Sequence, residues 1–355
     1  MTMTSGRSKT TTNSQENAEA LKSVHQSQMF NHPSYFIPGW YWVLPAAQLK
    51  CNQVKAVRVL GRELVVYRSA SGRVSIVDAY CPHMGAHLAE GCVSGEGLKC
   101  FFHGWEFDVD GDCRHVPNLN HGLPVNIKTW PIVEHYGLIW VWTGEEPEQP
   151  PPFVPELENI DCDVALGKAF DYNCHPNVLM INAIDAHHFN TVHHFPIDIV
   201  FRKEMLNDRA IMFSNTTKGG KDSWLVRLIQ PFYENEGTYS MCYWYGSTGT
   251  VTLGPDFLHF YIMFALRLTD DGKTEGQTVL VTRKRSGILG WLLNRVILWI
   301  TKLVGSYFAK GDRKLFQTIK FDLKTPLKAD QSIVQFMQHV EEQPALAYGS
   351  WEVVK

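Results

Sequence analysis

Two clusters of titratable side chains set the chemistry this chain can do. The first runs from Asn182 to His194 as Asn-Ala-Ile-Asp-Ala-His-His-Phe-Asn-Thr-Val-His-His. An amide, the Asp185 carboxylate and four imidazoles (His187, His188, His193, His194) thus fall within thirteen residues flanked by apolar sequence. Burying so many ionisable groups is costly unless a metal ion or a proton relay uses them. The second cluster is a pair of hooks, Cys81-Pro-His83 and Cys100-Phe-Phe-His103, separated by sixteen residues. Each hook offers one thiolate and one imidazole, donors that suit zinc or an iron–sulfur cluster.

The residues alone leave alternatives in both clusters. Zinc would gather all four donors of the hooks in a tetrahedron around one ion. A [2Fe–2S] cluster would take both thiolates on one iron and both imidazoles on the other. His87 is a spare imidazole, and Cys92 and Cys113 lack partners at useful spacing and read as small packed residues. In the first cluster, an unbroken helix pairs His187 with His194 and Asp185 with His188. His188 and His193 are five residues apart and converge only across a helix end or a π-bulge; Pro196 offers such an end.

The hooks sit in Cys81-Pro-His-Met-Gly-Ala-His-Leu-Ala-Glu-Gly and Cys100-Phe-Phe-His-Gly-Trp-Glu-Phe-Asp. In that setting, residues 38–145 resemble the Rieske domain of the Rieske non-heme iron oxygenases. The run Asn182-x-x-Asp185-x-x-His188-x-x-x-x-His193 is similar to the mononuclear iron motif of the same family. The resemblance implies a [2Fe–2S] cluster on Cys81, His83, Cys100 and His103. Gly85 and Gly104 would let loop amides approach the sulfides, and Trp105 would pack beneath the cluster. It also implies a mononuclear Fe(II) on His188, His193 and a carboxylate from near the C-terminus. Asp330, in Lys328-Ala-Asp-Gln-Ser-Ile-Val, is the best match for that carboxylate and Asp322 the second, although Ala329 stands where the family often has an acid. Asp185 becomes the carboxylate that conducts electrons from a neighbouring subunit's cluster, and Asn182 lines the iron pocket. His187 and His194 become supporting residues.

The implied activity is that of a terminal oxygenase component using O2. Chain length places it nearer single-subunit monooxygenases, such as the steroid ring hydroxylases and aminopyrrolnitrin oxygenase, than the larger ring dioxygenases. Hydroxylation of a hydrophobic ring compound is the leading expectation, with N-oxygenation, demethylation and desaturation as variants of the same chemistry. A different class, a Rieske electron carrier whose C-terminal half only binds, is disfavoured by retention of both motifs. No Gly-rich dinucleotide fingerprint follows a strand. NAD(P)H and flavin are therefore expected on a partner reductase, with or without a ferredoxin. Transfer between subunits implies a ring, expected to be a homotrimer.

The elements that must position these groups read as α+β. From residue 36 to 150 the pattern is all-β. Strands are expected at Ala56–Leu60, Glu63–Arg68, Val74–Asp78 and Leu138–Thr143, and a hairpin through Asp110-Gly-Asp. The acidic, proline-dense run Glu145–Pro155 reads as a connector. Residues 151–355 form the catalytic half: a helix at 177–191, strands at 210–214, 223–230, 239–245, 257–268 and 278–284, and helices at 289–308 and beyond Lys328. The resemblance implies that this half is a helix-grip, START-like domain.

Composition sets the outer bounds. The 355 residues are 45% hydrophobic and 19% charged with a net charge of −3, which gives no electrostatic case for nucleic acid. Eight cysteines, two of them tightly spaced with histidines, favour metal ligation in a reducing compartment over disulfides, and a cytoplasmic location is expected. Residues 1–35, polar over most of their length, read as a disordered lead-in. Gly287–Ala309 has nearly the length of a membrane span but is interrupted by Asn294, Arg295 and Lys302. It is expected to be a buried or oligomer-packing helix, with contact to a membrane surface as the alternative.

Overall fold

A computed structural model describes residues 29–119, 121–193, 199–218, 236–255 and 258–354. The fold is α+β, as expected. Gln53–Val59, Arg62–Arg68 and Val74–Asp78 form an antiparallel meander closed by Thr129–Trp130. A second small sheet, Cys92–Ser94, Gly97–Lys99, Glu106–Phe107 and Cys113–His115, carries the loop that holds Cys100 and His103. In the expected hairpin, Asp108 Oδ1 accepts from the amides of Asp110 and Asp112 and shapes the turn.

A three-stranded sheet of Trp40–Pro45, Leu138–Trp142 and Ile132–His135 joins the two halves. Period-2 alternation sends Trp40, Trp42, Trp140 and Trp142 to one face, where they pack with Trp244 and Tyr245 of the C-terminal half. Arg267 stacks over Trp42 at 4.2 Å and pairs with Glu275 at 2.7 Å, so a cation closes the seam without being left unpaired.

The C-terminal half is built on a seven-stranded antiparallel sheet. Its spatial order is Cys162–Tyr172, Thr274–Arg283, Phe260–Leu268, Thr248–Pro255, Glu236–Trp244, Ile211–Lys218 and Arg202–Met205. Among the described residues, helices α1 (Pro176–Asn182), α2 (Ala186–Thr191), α3 (Gly287–Thr318) and α4 (Gln331–Glu341) accompany it. Val178, Leu179, Met180 and Ile181 of α1 meet Phe213, Met241 and Val251 of the sheet and Phe336 and Met337 of α4 in one core. Leu298 of α3 packs on Ile262 and Leu280.

Several expectations are corrected. The helix anticipated at 177–191 is two helices, because the Asp185 side chain accepts from the amides of His187 and His188 and starts α2 afresh. Helix α3 runs ten residues past Phe308. It is not a buried helix, since Ile288, Leu289, Trp291 and Trp299 are exposed. The strands Cys162–Tyr172, Arg202–Met205 and Thr248–Pro255 were not anticipated. The last contains Gly249, where a Cβ would lie 2.4 Å from the Met241 methyl and 2.8 Å from the Met180 sulfur. The expected strand at 223–230 and residues 1–28 lie outside the described residues.

The chain ends interlock the halves. The amides of Met29 and Phe30 donate to Glu341, and Phe30 packs on Phe321 and Phe336. Tyr35–Phe36 pairs with Leu346–Ala347, and Trp351 meets Trp130 edge-on. Residues 29–35 are thus ordered against the C-terminal half rather than being part of a lead-in.

Candidate metal centres

The two cysteine–histidine hooks are built alike. The Cys81 amide donates to Ala86 O and the Gly85 amide to Cys81 O; the Cys100 amide donates to Trp105 O and the Gly104 amide to Cys100 O. Gly85 and Gly104 take φ of +74° and +69°, so each hook turns back on itself through a conformation that a side chain disfavours. The result is a split pair of donors: Cys81 and Cys100 are buried while His83 and His103 are exposed. The two imidazole rings lie 4.5 Å apart between centroids. Thiols inside and imidazoles outside suit a [2Fe–2S] cluster whose histidine-bound iron faces the surface. Burial, with Cys100 adding to it, pushes the Cys81 thiol up to about 11, so iron must displace its proton on binding. Trp105 stacks on the His83 ring at 4.5 Å, a more specific placement than packing beneath a cluster. His87 turns its Nδ1 to the Ala89 amide and caps a short 3-10 turn.

The second centre is formed where α2 ends and α3 passes. His188 is in α2, and His193 lies just beyond its last residue, so the helix end lets the two rings meet with centroids 4.9 Å apart. His188 Nδ1 donates to the Asp185 backbone carbonyl at 2.6 Å, which fixes the tautomer and turns Nε2 toward the cavity, where Asn182 Nδ2 lies 3.3 Å away. Asp185 therefore orients His188 through its main chain, while its carboxylate caps α2. His187 is exposed on the far side of α2, and His194 lies outside the described residues.

The carboxylate beside the histidines is Asp312 of α3. Ligand atoms of His188, His193 and Asp312 all lie within 4.8 Å of one another, and all three residues are buried. Asp330, expected in this role, is not in the cluster. Its Oδ2 accepts from the Leu327 amide at 2.7 Å, and it starts α4 rather than facing the histidines. Asp322 is exposed and pairs with Lys324. The signal for Asp312 is present in the sequence: it is the one acidic residue of α3, in step with Gly305, Phe308, Ala309 and Phe316, which share its cavity-lining face. Gly311 makes the approach possible, because a Cβ there would sit 3.1 Å from His193 Cε1.

Donor chemistry fits a metal ion. Asp312 Oδ1 is 3.2 Å from His193 Nε2 and is buried with no hydrogen bond of good geometry among the described residues. Burial raises the Asp312 carboxyl above its usual range, with His193 and His188 pulling the other way. A divalent cation between the three would satisfy that oxygen and reverse the shift. Two histidines and one carboxylate with room alongside are the donor set of a non-heme iron centre. The room is a cavity beside the three donors, with about 850 Å³ of space when the adjoining open solvent is included. Apart from Asn182, the metal donors, Thr278 and the hydroxyl-bearing Tyr172 and Tyr239, its lining is apolar, including Phe170, Leu179, Met241, Ile262 and Phe264.

Comparison with known proteins agrees with the first centre. Residues 39–131 match the Rieske [2Fe–2S] domain family. Residues 39–131 are a Rieske domain. It accordingly carries a [2Fe–2S] cluster. Among relatives, cholesterol 7-desaturase of Ciona intestinalis is 38% identical over 167 residues, 45% of this chain and 35% of that protein. The oxygenase component of 3-ketosteroid-9-alpha-monooxygenase from Rhodococcus rhodochrous is 30% identical over 174 residues, 46% of this chain and 44% of that protein. The chain thus spans under half the length of the relatives it matches. Solved structures extend the likeness beyond the Rieske domain. NdmA of Pseudomonas putida CBB5 with caffeine superposes with a TM-score of 0.63 at 16% identity, over 84% of this chain and 88% of that one. Apo dicamba monooxygenase gives 0.61 at 19% identity, over 86% and 96%. Over 84% and 86% of its length respectively, the chain shares the fold of these two structures.

Proposed function

We propose that the protein is the terminal oxygenase of a Rieske system, acting on a lipophilic ring compound of sterol-like character. The observation that carries this is the His188–His193–Asp312 cluster at the polar end of an otherwise apolar cavity, in a chain that also holds a Rieske domain. Iron bound there would supply activation of O2 next to the substrate.

The chain's own residues have definable parts in this reading. Cys81, His83, Cys100 and His103 hold the cluster, and His188, His193 and Asp312 hold the iron. Asn182 lines the site beside His188 Nε2. Phe170, Ile262 and Phe264 bind the substrate's apolar body and exclude water, so orientation depends on shape more than on hydrogen bonds. Asp185 Oδ1 is engaged with two amides, which leaves Oδ2 for a donor from outside the chain. A cluster histidine of a neighbouring subunit is the donor proposed, and head-to-tail contacts of that kind close a homotrimeric ring. Electrons come from a flavin-containing reductase that uses NAD(P)H, directly or through a ferredoxin.

Hydroxylation and desaturation consume the same inputs: one O2, two electrons and two protons. Hydroxylation leaves one oxygen in the product and one in water; desaturation removes two hydrogens and leaves both oxygens in water. Relatives named for each outcome favour keeping both. The test is turnover with a surrogate reductase on a panel of sterols, steroids and smaller aromatic compounds, read by oxygen uptake and product mass. A product heavier by one oxygen, or lighter by two hydrogens, is expected. Oxygen uptake with no altered product across the lipophilic panel would remove this reading.

A further inference from the structure

The long helix α3 has two faces with opposite occupations. Its inner face packs on the sheet and walls the cavity with Gly305, Phe308, Asp312 and Phe316. Its outer face is apolar and is left exposed by the described residues. Leu289 is 83% exposed and Trp299 60% exposed, with Leu292, Val296, Leu303 and Tyr307 exposed in the same stripe. At 3.6 residues per turn these positions form one continuous strip along the helix. So much contiguous apolar surface marks a binding face.

Charge indicates what covers it. The exposed charges from Arg283 to Lys314 are all basic: Arg295, Lys302 and Arg313 run along one flank of the strip, Arg283 and Lys284 lie at its start, and Lys310 and Lys314 near its end. The only acidic residue of the stretch is the buried Asp312. This contrasts with a chain whose net charge is −3. Arg295 lies over the Trp291 ring at 5.3 Å, so the basic and aromatic groups are in register. A second copy meeting this face with its own would set like-charged rows against each other.

Spanning a bilayer does not suit α3. Asn294 Nδ2 bonds Asp163 Oδ2 at 2.6 Å and Asn294 Oδ1 accepts from Arg285 at 2.7 Å, while Asp312 stands with the histidine pair. The inner face is thus tied to the sheet, and only the outer strip is free to meet lipid. Apolar strip, flanking cations and Trp residues together have the form of a helix lying in the plane of a membrane surface. Ala309, an exposed residue of α3, also lines the cavity, so the cavity reaches the surface along this helix.

We propose that α3 docks the protein on an anionic phospholipid bilayer, its outer strip among the acyl chains and Arg295, Lys302 and Arg313 at the headgroups. Docking sets the cavity beside the bilayer, where a lipophilic substrate is dissolved. That purpose rests on the function proposed above, but the docking is measured without turnover.

The test is sedimentation of the full chain with phosphatidylcholine vesicles and with vesicles that also contain phosphatidylglycerol. Binding to the anionic vesicles is expected, weaker by roughly tenfold or more without the anionic lipid. The triple variant Leu289→Ser/Leu292→Ser/Leu303→Ser should lose roughly a hundredfold or more in binding while its thermal midpoint stays unchanged. Brominated phospholipids should quench tryptophan fluorescence in the parent chain and quench less in Trp299→Phe. A chain that stays in the supernatant with anionic vesicles overturns the proposal. So does a triple variant that binds as the parent does, which would place lipid contact elsewhere. A triple variant that dissociates an oligomer without changing vesicle binding would show the strip to be a contact between copies. Failure of the oxygenase assay leaves vesicle binding standing, and loss of vesicle binding leaves the oxygenase reading standing.

Discussion

His193 Nε2 and Asp312 Oδ1 face each other across 3.2 Å, one from just past a short helix and the other from deep in a long one. That oxygen makes no hydrogen bond of good geometry among the described residues, and burial disfavours the charged form while His193, His188 and Asn182 favour it. Such a pair is a poor stabilising device by itself. Iron content is its direct test. The parent should hold about three irons per chain, two in the cluster and one at this site. Asp312→Asn should hold about two, with the visible absorption of the cluster intact. Asp330→Asn should hold about three. The metal-free Asp312→Asn protein should be no less stable than the metal-free parent, because a desolvated carboxyl is replaced by a neutral isostere. Equal iron loss in both variants would return Asp330 to the site.

Asp185 has two separable duties. As the cap of α2, its Oδ1 accepts from His187 N at 2.9 Å and His188 N at 3.3 Å. Asn caps about as well as Asp. Asp185→Asn should therefore keep its thermal midpoint and both metals, yet lose roughly 10–100-fold or more in coupled turnover if the charge serves transfer between subunits. Asp185→Ala should lose both the turnover and about 1 kcal/mol of stability. Full activity in Asp185→Asn would confine this residue to capping.

As ligands of the cluster, the exposed imidazoles of the Rieske domain would tune its potential. His83 lies within 4.5 Å of both the His103 and Trp105 ring centroids, at the surface. His83→Cys would exchange a neutral donor for an anionic one, which stabilises the oxidised cluster. Its midpoint potential should fall by roughly 100 mV or more toward the all-cysteine range, read by spectroelectrochemistry. An unchanged potential would show that His83 is not a ligand.

Much of this was legible before the fold because the donors are local in sequence. Both hooks and the His188–His193 pair are short-range patterns, and β-branched and aromatic runs bounded by turn residues mark Glu63–Arg68 and Val74–Asp78 as strands. Asp312 was not found because its partner residues are far away in sequence and its helix looked finished. The apolar run of α3 stops near Ala309, and Lys310-Gly-Asp-Arg-Lys reads as a polar exit. Only the fold shows that the helix continues with Asp312 on its inner face. Thr248–Pro255 was missed for a related reason: Gly249 and Gly254 weaken a strand pattern, yet Gly249 is what lets α1 lie close to the sheet. Exposure of α3 could not be read either, since an apolar strip looks the same whether it meets a core or a membrane.

Acid should loosen the C-terminal half through His175. This residue caps α1, its Nδ1 accepting from the Asn177 amide at 3.2 Å, while its Nε2 is buried without a partner among the described residues. Burial, reinforced by the charge of His32, lowers its pKa from 6.5 to about 3. The unfolded chain therefore binds a proton that the folded chain refuses. Stability is fully present above pH 6.5 and falls as pH drops from there toward about 3, by up to about 1.4 kcal/mol per pH unit. His135, lowered to about 4 by burial, acts in the same direction down to that pH. His175→Asn retains a capping side chain and removes the titration. Thermal midpoints of the metal-free proteins between pH 7 and about 4.5 should fall less steeply in the variant than in the parent. Parallel curves would mean that His175 is protonated as readily in the folded chain as in the unfolded one.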